Sequence, residues 1–282
     1  MKVLNLGSSS LIGSYLTEYL REKGHEVQEY DKDLGPQYNL TAIPSTWLEH
    51  CIKNSDFVFF LAFDEGGSRF MRKFQHTFEF INNNTRIMAN VFGLLEKHKK
   101  RFIFLSSQMS NMEYSPYGIM KKTGELYTTS LKGLTVKVWN VYGVEKDPVQ
   151  SHVIPDFIRK GFEFGDFDML TDGTEERQFL YAEDCCEALE TIMENYTDFK
   201  PEDPLHITSF NSSSIKDVAA IISGQFNLID RSIKITPGIA KDSVQLDKRN
   251  DPNNFIIDWW LPKTNLQDGI AKVFNVMKKD FL

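Results

Sequence analysis

The sequence predicts an α/β fold, a doubly wound parallel sheet followed by a smaller C-terminal α/β lobe. Three observations carry that prediction. Strand-like apolar runs alternate with helical periodicities through the first half of the chain. The run DFVFFLAF, residues 56–63, is apolar at nearly every position, as in a strand covered on both faces. A turn bearing Gly7 and Gly13 joins the first strand to the first helix.

The elements follow in order. KVLNL (2–6) is a short apolar strand. LIGSYLTEYLREKG places Leu11, Ile12, Tyr15, Leu16, Tyr19 and Leu20 at helical spacing, and Gly24 ends that helix. HEVQEYD is a second strand finishing at Asp31. STWLEHCIKNS reads as a helix capped by Ser45. DFVFFLAF is the third strand, and a long helix runs from about Phe78 to Lys99. RFIFLSS is a strand, YGIMKKTGELYTTSL a helix and LTVKVWNVYG a strand. Strand–helix alternation implies right-handed βαβ units. The first lobe, 1–143, is thus expected to be a Rossmann-type doubly wound domain.

After Gly143 the strands shorten, and seven of the ten prolines lie from Pro148 onward, which marks a separate lobe over 144–282. SHVIPDFIRKGF reads as a helix and RQFLYAEDCCEALETIM as a strand and helix. PLHIT and SIKITP are short strands, and NLQDGIAKVFNVMKKDF is an amphipathic helix. Some of this chain is expected to cross back to the first domain.

Composition excludes several classes. The 282 residues are 41% hydrophobic and 25% charged, enough for a large core. Net charge is −7, and the densest basic run, EKHKKR (96–101), suits a helix end, so no nucleic-acid partner is expected. Three cysteines, two of them adjacent, make neither a disulfide framework nor a metal-ligand pattern. No apolar run reaches spanning length, and MKVLNLGSS reads as strand and turn, so no membrane association and a cytoplasmic location are expected.

The first loop, Gly7-Ser8-Ser9-Ser10-Leu11-Ile12-Gly13, opens a helix whose N-terminus suits a pyrophosphate. Ser10 stands where a third glycine would strengthen the signal. Asp31, at the end of the second strand, can accept from ribose hydroxyls and repel a 2′-phosphate, which favours NAD. The plain alternative is a turn acid beside Asp33, and Lys32 leaves NADP open.

Tyr117 and Lys121 share a helix face wherever such a pair occurs, so their spacing alone assigns nothing. In context, GSSSLIG, Asn39-Leu40, VFFLA with Leu61 and Ala62, FLSS, Tyr117-x-x-x-Lys121, NVYG (140–143) and DGTEERQFLYAED (172–184) resemble the extended short-chain dehydrogenase/reductase family of nucleotide-sugar epimerases and dehydratases. The similarity runs nearly the whole length, and within the family it is greatest to the GDP-fucose synthase and GDP-mannose 3,5-epimerase branch.

This resemblance implies NAD held by Gly7, Ser10, Leu11, Ile12, Gly13, Asp31, Asn39, Leu40, Leu61, Ala62, Tyr117 and Lys121. It implies catalysis by Ser107, Tyr117, Lys121 and His152. It places a GDP- or UDP-linked hexose against Gly66, Gly67, Gln108, Asn140 and Arg177. A homodimer through a helix bundle that includes the Tyr117 helix is also implied. The plain reading of His152 is an exposed helix-start histidine, and that of Arg177 an ion pair with Glu175 or Glu176.

Two departures from the family pattern matter. Met109 stands where the branch uses a proton-exchanging cysteine. Gln108-Met109 replaces the Asp-Glu pair of 4,6-dehydratases, which argues against dehydration.

The chemistry implied is proton transfer by Tyr117 as hydride leaves or enters the same carbon. A free tyrosine has a pKa near ~10, and Lys121 with the positive nicotinamide ring is expected to lower it. Three readings follow: an epimerase working through a transient ketone, a 4-ketoreductase, and a non-catalytic nicotinamide-binding regulator. The complete Ser-Tyr-Lys set argues against the last.

Overall fold

The computed structural model describes residues 1–145, 147–242, 245 and 251–282. Its elements are β1 (Lys2–Leu6), α1 (Leu11–Glu22), β2 (Glu26–Tyr30), α2 (Thr46–Asn54), β3 (Phe57–Phe60), α3 (Ser68–Phe74), α4 (Phe78–His98), β4 (Phe102–Ser107), α5 (Pro116–Ser130), β5 (Leu134–Val138) and β6 (Asn140–Tyr142). Then come α6 (Val153–Phe164), β7 (Asp166–Asp168), β8 (Glu176–Tyr181), α7 (Ala182–Glu194), β9 (Leu205–Ile207), β10 (Ser212–Ser214), α8 (Ile215–Asn227), β11 (Lys234–Thr236) and α9 (Leu266–Lys278).

Six strands form a parallel sheet in the order β2-β1-β3-β4-β5-β9. Side chains alternate across a strand, and here both sides are apolar. Val3, Phe57, Phe59, Ile103 and Leu105 enter a core closed by α1 and α7. Leu4, Leu6, Val58, Phe60, Phe102 and Phe104 enter a second core closed by α2 and α4. The unbroken apolar run of β3 is therefore two alternating faces, each fully covered. Each such large side chain contributes roughly 1.5–3 kcal/mol by leaving water.

The stretch 134–143, read as one strand, is two. The chain breaks at Trp139, whose backbone N–H donates to Ile207 O at 3.3 Å while Val141 N donates back to Trp139 O at 2.8 Å. That turn sends β5 into the large sheet and β6 into a second sheet of order β10-β8-β6. A third sheet pairs β11 with β7. The second lobe has its own core, where α6, α8 and α9 bring Phe157, Phe162, Phe226 and Phe274 together. The chain crosses back through β9 and α7.

Segments α3, β7, β10 and α8 were not foreseen. The α8 helix had a readable signal, since Ser214 and Asp217 form a capping box at its start. Cys51, Cys185 and Cys186 are buried free thiols. Among the described residues no helix is long and apolar enough to cross a membrane.

Candidate active site

The first loop forms one wall of a cavity of about 300 Å³ at the C-terminal ends of the strands. Gly7 has φ +95°, and a Cβ there would meet the Ala62 backbone nitrogen at 2.7 Å. A Cβ on Gly13 would collide with the Gly7 carbonyl. Both positions therefore require glycine, one for conformation and one for helix–strand approach. Ser10 caps α1: its Oγ accepts from Gly13 N at 3.1 Å and donates to Gly7 O at 2.7 Å.

Gly7, Ser10, Asp31, Asn39, Leu40 and Ala62 line this cavity, as do Lys32 and Phe63. Ile12 and Leu61 are instead core residues, and Leu11 packs against that core. The Asp31 carboxylate accepts from Ser9 N at 3.1 Å and Asp33 N at 3.0 Å, which holds it at the cavity rim. A loop without room for a Cβ, a helix N-terminus and a fixed carboxylate opposite it fit a dinucleotide of the NAD type.

Ser107 ends β4, and Tyr117 and Lys121 occupy one face of α5, whose start is capped by Ser115 and fixed by Pro116. A Cβ on Gly118 would strike the Met109 carbonyl, so the helix seats directly on the turn after β4. Ser107 Oγ accepts from Met109 N at 3.2 Å. Its hydroxyl also favours ionisation of Tyr117. Lys121 is 1% exposed, donates to Leu105 O at 2.9 Å and lies 4.0 Å from the Phe63 ring centre.

Into this set comes Glu65, the residue before Gly66 and Gly67. Tyr117 Oη donates to Glu65 Oε2 at 2.8 Å, and Lys121 Nζ lies 3.1 Å from the same oxygen. Burial, then the Glu65 charge, pushes the Tyr117 hydroxyl well above the usual tyrosine range, with Ser107 opposing. Burial pulls the Lys121 ammonium down, against Glu65 and Glu125. The expected lowering of Tyr117 does not describe the free protein, because burial, and then the Glu65 charge, raise it.

A second cavity, of about 120 Å³, opens beside the first lobe. His152, Asn140 and Arg177 line it together with Arg69, Arg72 and Lys241. Asn140 opens β6 in the second sheet, rather than ending the last strand of the first lobe. Arg177 pairs with Asp242, not with Glu175 or Glu176, and also donates to Glu176 O at 2.7 Å. Gln108 is 4% exposed in the short 3₁₀ turn after β4.

Met109 is buried with Met71, Phe80 and Met112. Gly67 N donates to Gln150 O at 2.8 Å, and a Cβ on Gly67 would collide with Ser151 O. Gly67 thereby clamps the Glu65 loop onto the segment carrying His152, while Gly66 lies against the Phe70 side chain.

His152 is held at both ends by Glu145. Its backbone N–H donates to Oε2 at 2.6 Å, and Nδ1 lies 2.7 Å from Oε1. Burial alone would lower the imidazole; Glu145 at contact distance, with Glu65 adding, holds it above the ordinary histidine value. A carboxylate on Nδ1 favours the tautomer with the proton on Nδ1 and the lone pair on Nε2. Glu145 was missed: it lies seven residues from His152 in a loop without periodicity.

Comparison with known proteins places the fold and the cofactor in a known family. The family model described as the NAD dependent epimerase/dehydratase family matches residues 3–207. A UDP-N-acetyl-alpha-D-glucosaminuronate decarboxylase of Bacillus cytotoxicus is 27% identical over 256 residues, covering 77% of this chain and 78% of that protein. A GDP-L-fucose synthase of Sinorhizobium fredii is 30% identical over 233 residues, covering 70% and 71%. Among solved structures, MoeE5 in complex with UDP-glucose and NAD superposes with a TM-score of 0.79 at 19% identity over the full length of both chains.

Proposed function

The chain belongs to the NAD dependent epimerase/dehydratase family, and from that premise we propose that it is an epimerase acting on a nucleotide-diphosphate hexose through a transient keto intermediate. The observation that carries this reading is the Glu145–His152 pair, a positioned imidazole on the wall of the second cavity. Inversion beside a ketone needs a group that takes and returns a carbon-bound proton. Met109 has none to exchange, and Tyr117 serves the ketone oxygen.

NAD, when bound, accepts a hydride from a sugar carbon and returns it. Gly7, Gly13, Asp31 and Ala62 would hold it, with Lys121 and Tyr117 at the reacting end. Ser107 and Tyr117 address the sugar oxygen, Tyr117 moving its proton. His152 Nε2 addresses the neighbouring carbon. Arg72 and Lys241, with Arg69 and Arg177 beside their partners Asp156, Asp168 and Asp242, are the cations on that wall that a diphosphate would meet.

A second reading, reduction of a 4-keto-sugar made elsewhere, is favoured by the Glu65 contact, which keeps Tyr117 protonated. Trace enzyme-bound NAD against stoichiometric NADH separates the two. Epimerisation turns over without net NADH loss, and reduction consumes it.

The same reading extends to a homodimer. Ile119, Leu126 and Tyr127 on α5 and Phe78 and Ile81 on α4 are exposed apolar side chains on adjacent helices. A second copy of those helices would cover them.

A further inference from the structure

The family reaction requires a serine, a tyrosine and a lysine; the structure adds a carboxylate to them. We propose that Glu65 is a third charged member of the Tyr117–Lys121 pair, which holds Tyr117 as a proton-donating phenol and so favours reduction of a keto group over oxidation of a hydroxyl. The direction of that bias rests on the reading of Tyr117 as proton carrier in the hydride step.

One oxygen, Glu65 Oε2, takes both contacts, at 2.8 Å from Tyr117 Oη and 3.1 Å from Lys121 Nζ. The lysine charge that would otherwise favour a phenolate is therefore spent on Glu65. The carboxylate also accepts from the phenol, and that bond is lost if the phenol ionises. Coulomb repulsion and hydrogen bonding thus act in the same direction.

The other charges around Tyr117 do not reverse this. From β4, Ser107 favours ionisation but is neutral. From the start of α6, His152 is matched by Glu145 at 2.7 Å. On α3, Arg69 is paired with Asp156 and Asp168, and Arg72 lines the substrate cavity. Asp64, next to Glu65, accepts from Asn83 Nδ2 at 3.1 Å.

The loop also decides what must yield when substrate arrives. Asp64 N donates to Asn84 Oδ1 at 2.7 Å on one side of Glu65, and Gly67 N to Gln150 O at 2.8 Å on the other. The backbone is clamped at both ends, so the Glu65 side chain, 35% exposed, is the movable part. A ketone oxygen arriving at Tyr117 replaces Glu65 as acceptor and meets a group that already carries a proton. With a reduced nicotinamide supplying the hydride to the carbonyl carbon, the Tyr117 proton would pass to the ketone oxygen, and the phenolate left behind would face Lys121. A hydroxyl arriving at the same place meets no base until Tyr117 has first lost its proton, so in an epimerase Glu65 slows the opening oxidation and favours the return of hydride to the ketone.

The test is the ionisation of Tyr117, followed by carbon NMR of Cζ-labelled tyrosine in the protein free of cofactor and sugar. Tyr117→Phe identifies the resonance. In Glu65→Gln its midpoint is expected to fall by about one to three pH units, the range for a contact charge. Glu65→Ala should move it the same way, which covers a failure of the first variant to fold. A wild-type resonance still un-ionised at the highest pH that keeps the fold, with the variant ionising below it, is the same result. A midpoint unchanged or raised in a folded variant overturns the proposal. Because no sugar is present, the outcome is independent of whether the enzyme inverts a carbon.

Discussion

Ser106 Oγ donates to Glu125 Oε1 at 2.6 Å in the interior, one residue before Ser107 on β4 and four after Lys121 on α5. The same carboxylate pairs with Lys137 of β5 at 3.3 Å and with Lys122 at 3.1 Å. Burial alone would raise Glu125; the hydrogen bond from Ser106, the neighbouring Ser110 hydroxyl and the Lys137 charge hold it below the usual range. This buried knot ties the strand that carries the serine to the helix that carries the tyrosine and lysine.

Removing that carboxylate leaves Lys137, 4% exposed, as a buried unpaired charge. Glu125→Ala is expected to cost about 3–5 kcal/mol of stability. Denaturant unfolding measures it, and a loss below ~1 kcal/mol would show that the knot carries little.

Tyr117→Phe removes the proton-transfer group and almost no volume. Turnover should fall by roughly two to four powers of ten, while NADH binding, followed by fluorescence, stays near the wild-type value. Retained turnover would remove Tyr117 from the chemistry.

Asp31 sets the cofactor. Its carboxylate, fixed by Ser9 N and Asp33 N, would face a 2′-phosphate. NADH should bind more tightly than NADPH, and Asp31→Ser should narrow the gap. Titrations of both cofactors decide it, and tighter NADPH binding by the wild type would reverse the assignment.

His206 predicts an acid limit to stability. Burial, then the Lys137 charge, pushes its imidazole down to about 4, and its Nδ1 accepts from Trp139 Nε1 at 3.3 Å. An unfolded histidine titrates near 6.5, so the unfolded chain binds the proton first as pH falls. The contribution is complete above that value and is lost on the way down to about 4. It is on the order of 3 kcal/mol. Unfolding free energies at pH 7 and near pH 4.5 should differ more for wild type than for His206→Gln, and equal differences would contradict the assignment.

Much of this was legible because the signals are local. The cofactor loop is a strand–turn–helix in which Gly13 is fixed by the Gly7 carbonyl six residues before it, although Gly7 also meets Ala62 across the sheet. Ser107, Tyr117 and Lys121 sit on one strand end and one helix face. What escaped was non-local. Glu65 meets Tyr117 across 52 positions in the chain, and nothing in its loop distinguishes a carboxylate aimed inward from a solvated one. Glu145 is recognisable only once Gly67 has packed against Ser151. The break at Trp139 is invisible in an apolar run, because both halves have the same strand propensity. Leu61 and Ile12 were carried over with the cofactor loop but face the core, since alternation along β3 and the apolar stripe of α1 turn them inward.

The central claim is that His152, held by Glu145, moves a carbon-bound proton beside a ketone that Tyr117 serves. The most direct measurement is deuterium uptake by a nucleotide-hexose substrate turned over in heavy water, located by mass spectrometry and NMR. The account predicts deuterium at C3 or C5 with the wild type. His152→Asn should abolish it while sparing hydride transfer at C4. With Glu145→Gln, the acid limb of the exchange rate should shift to lower pH, because the carboxylate that raises the imidazole is gone. Turnover by the wild type with no deuterium at either carbon would contradict the claim and leave Tyr117 acting at C4 alone.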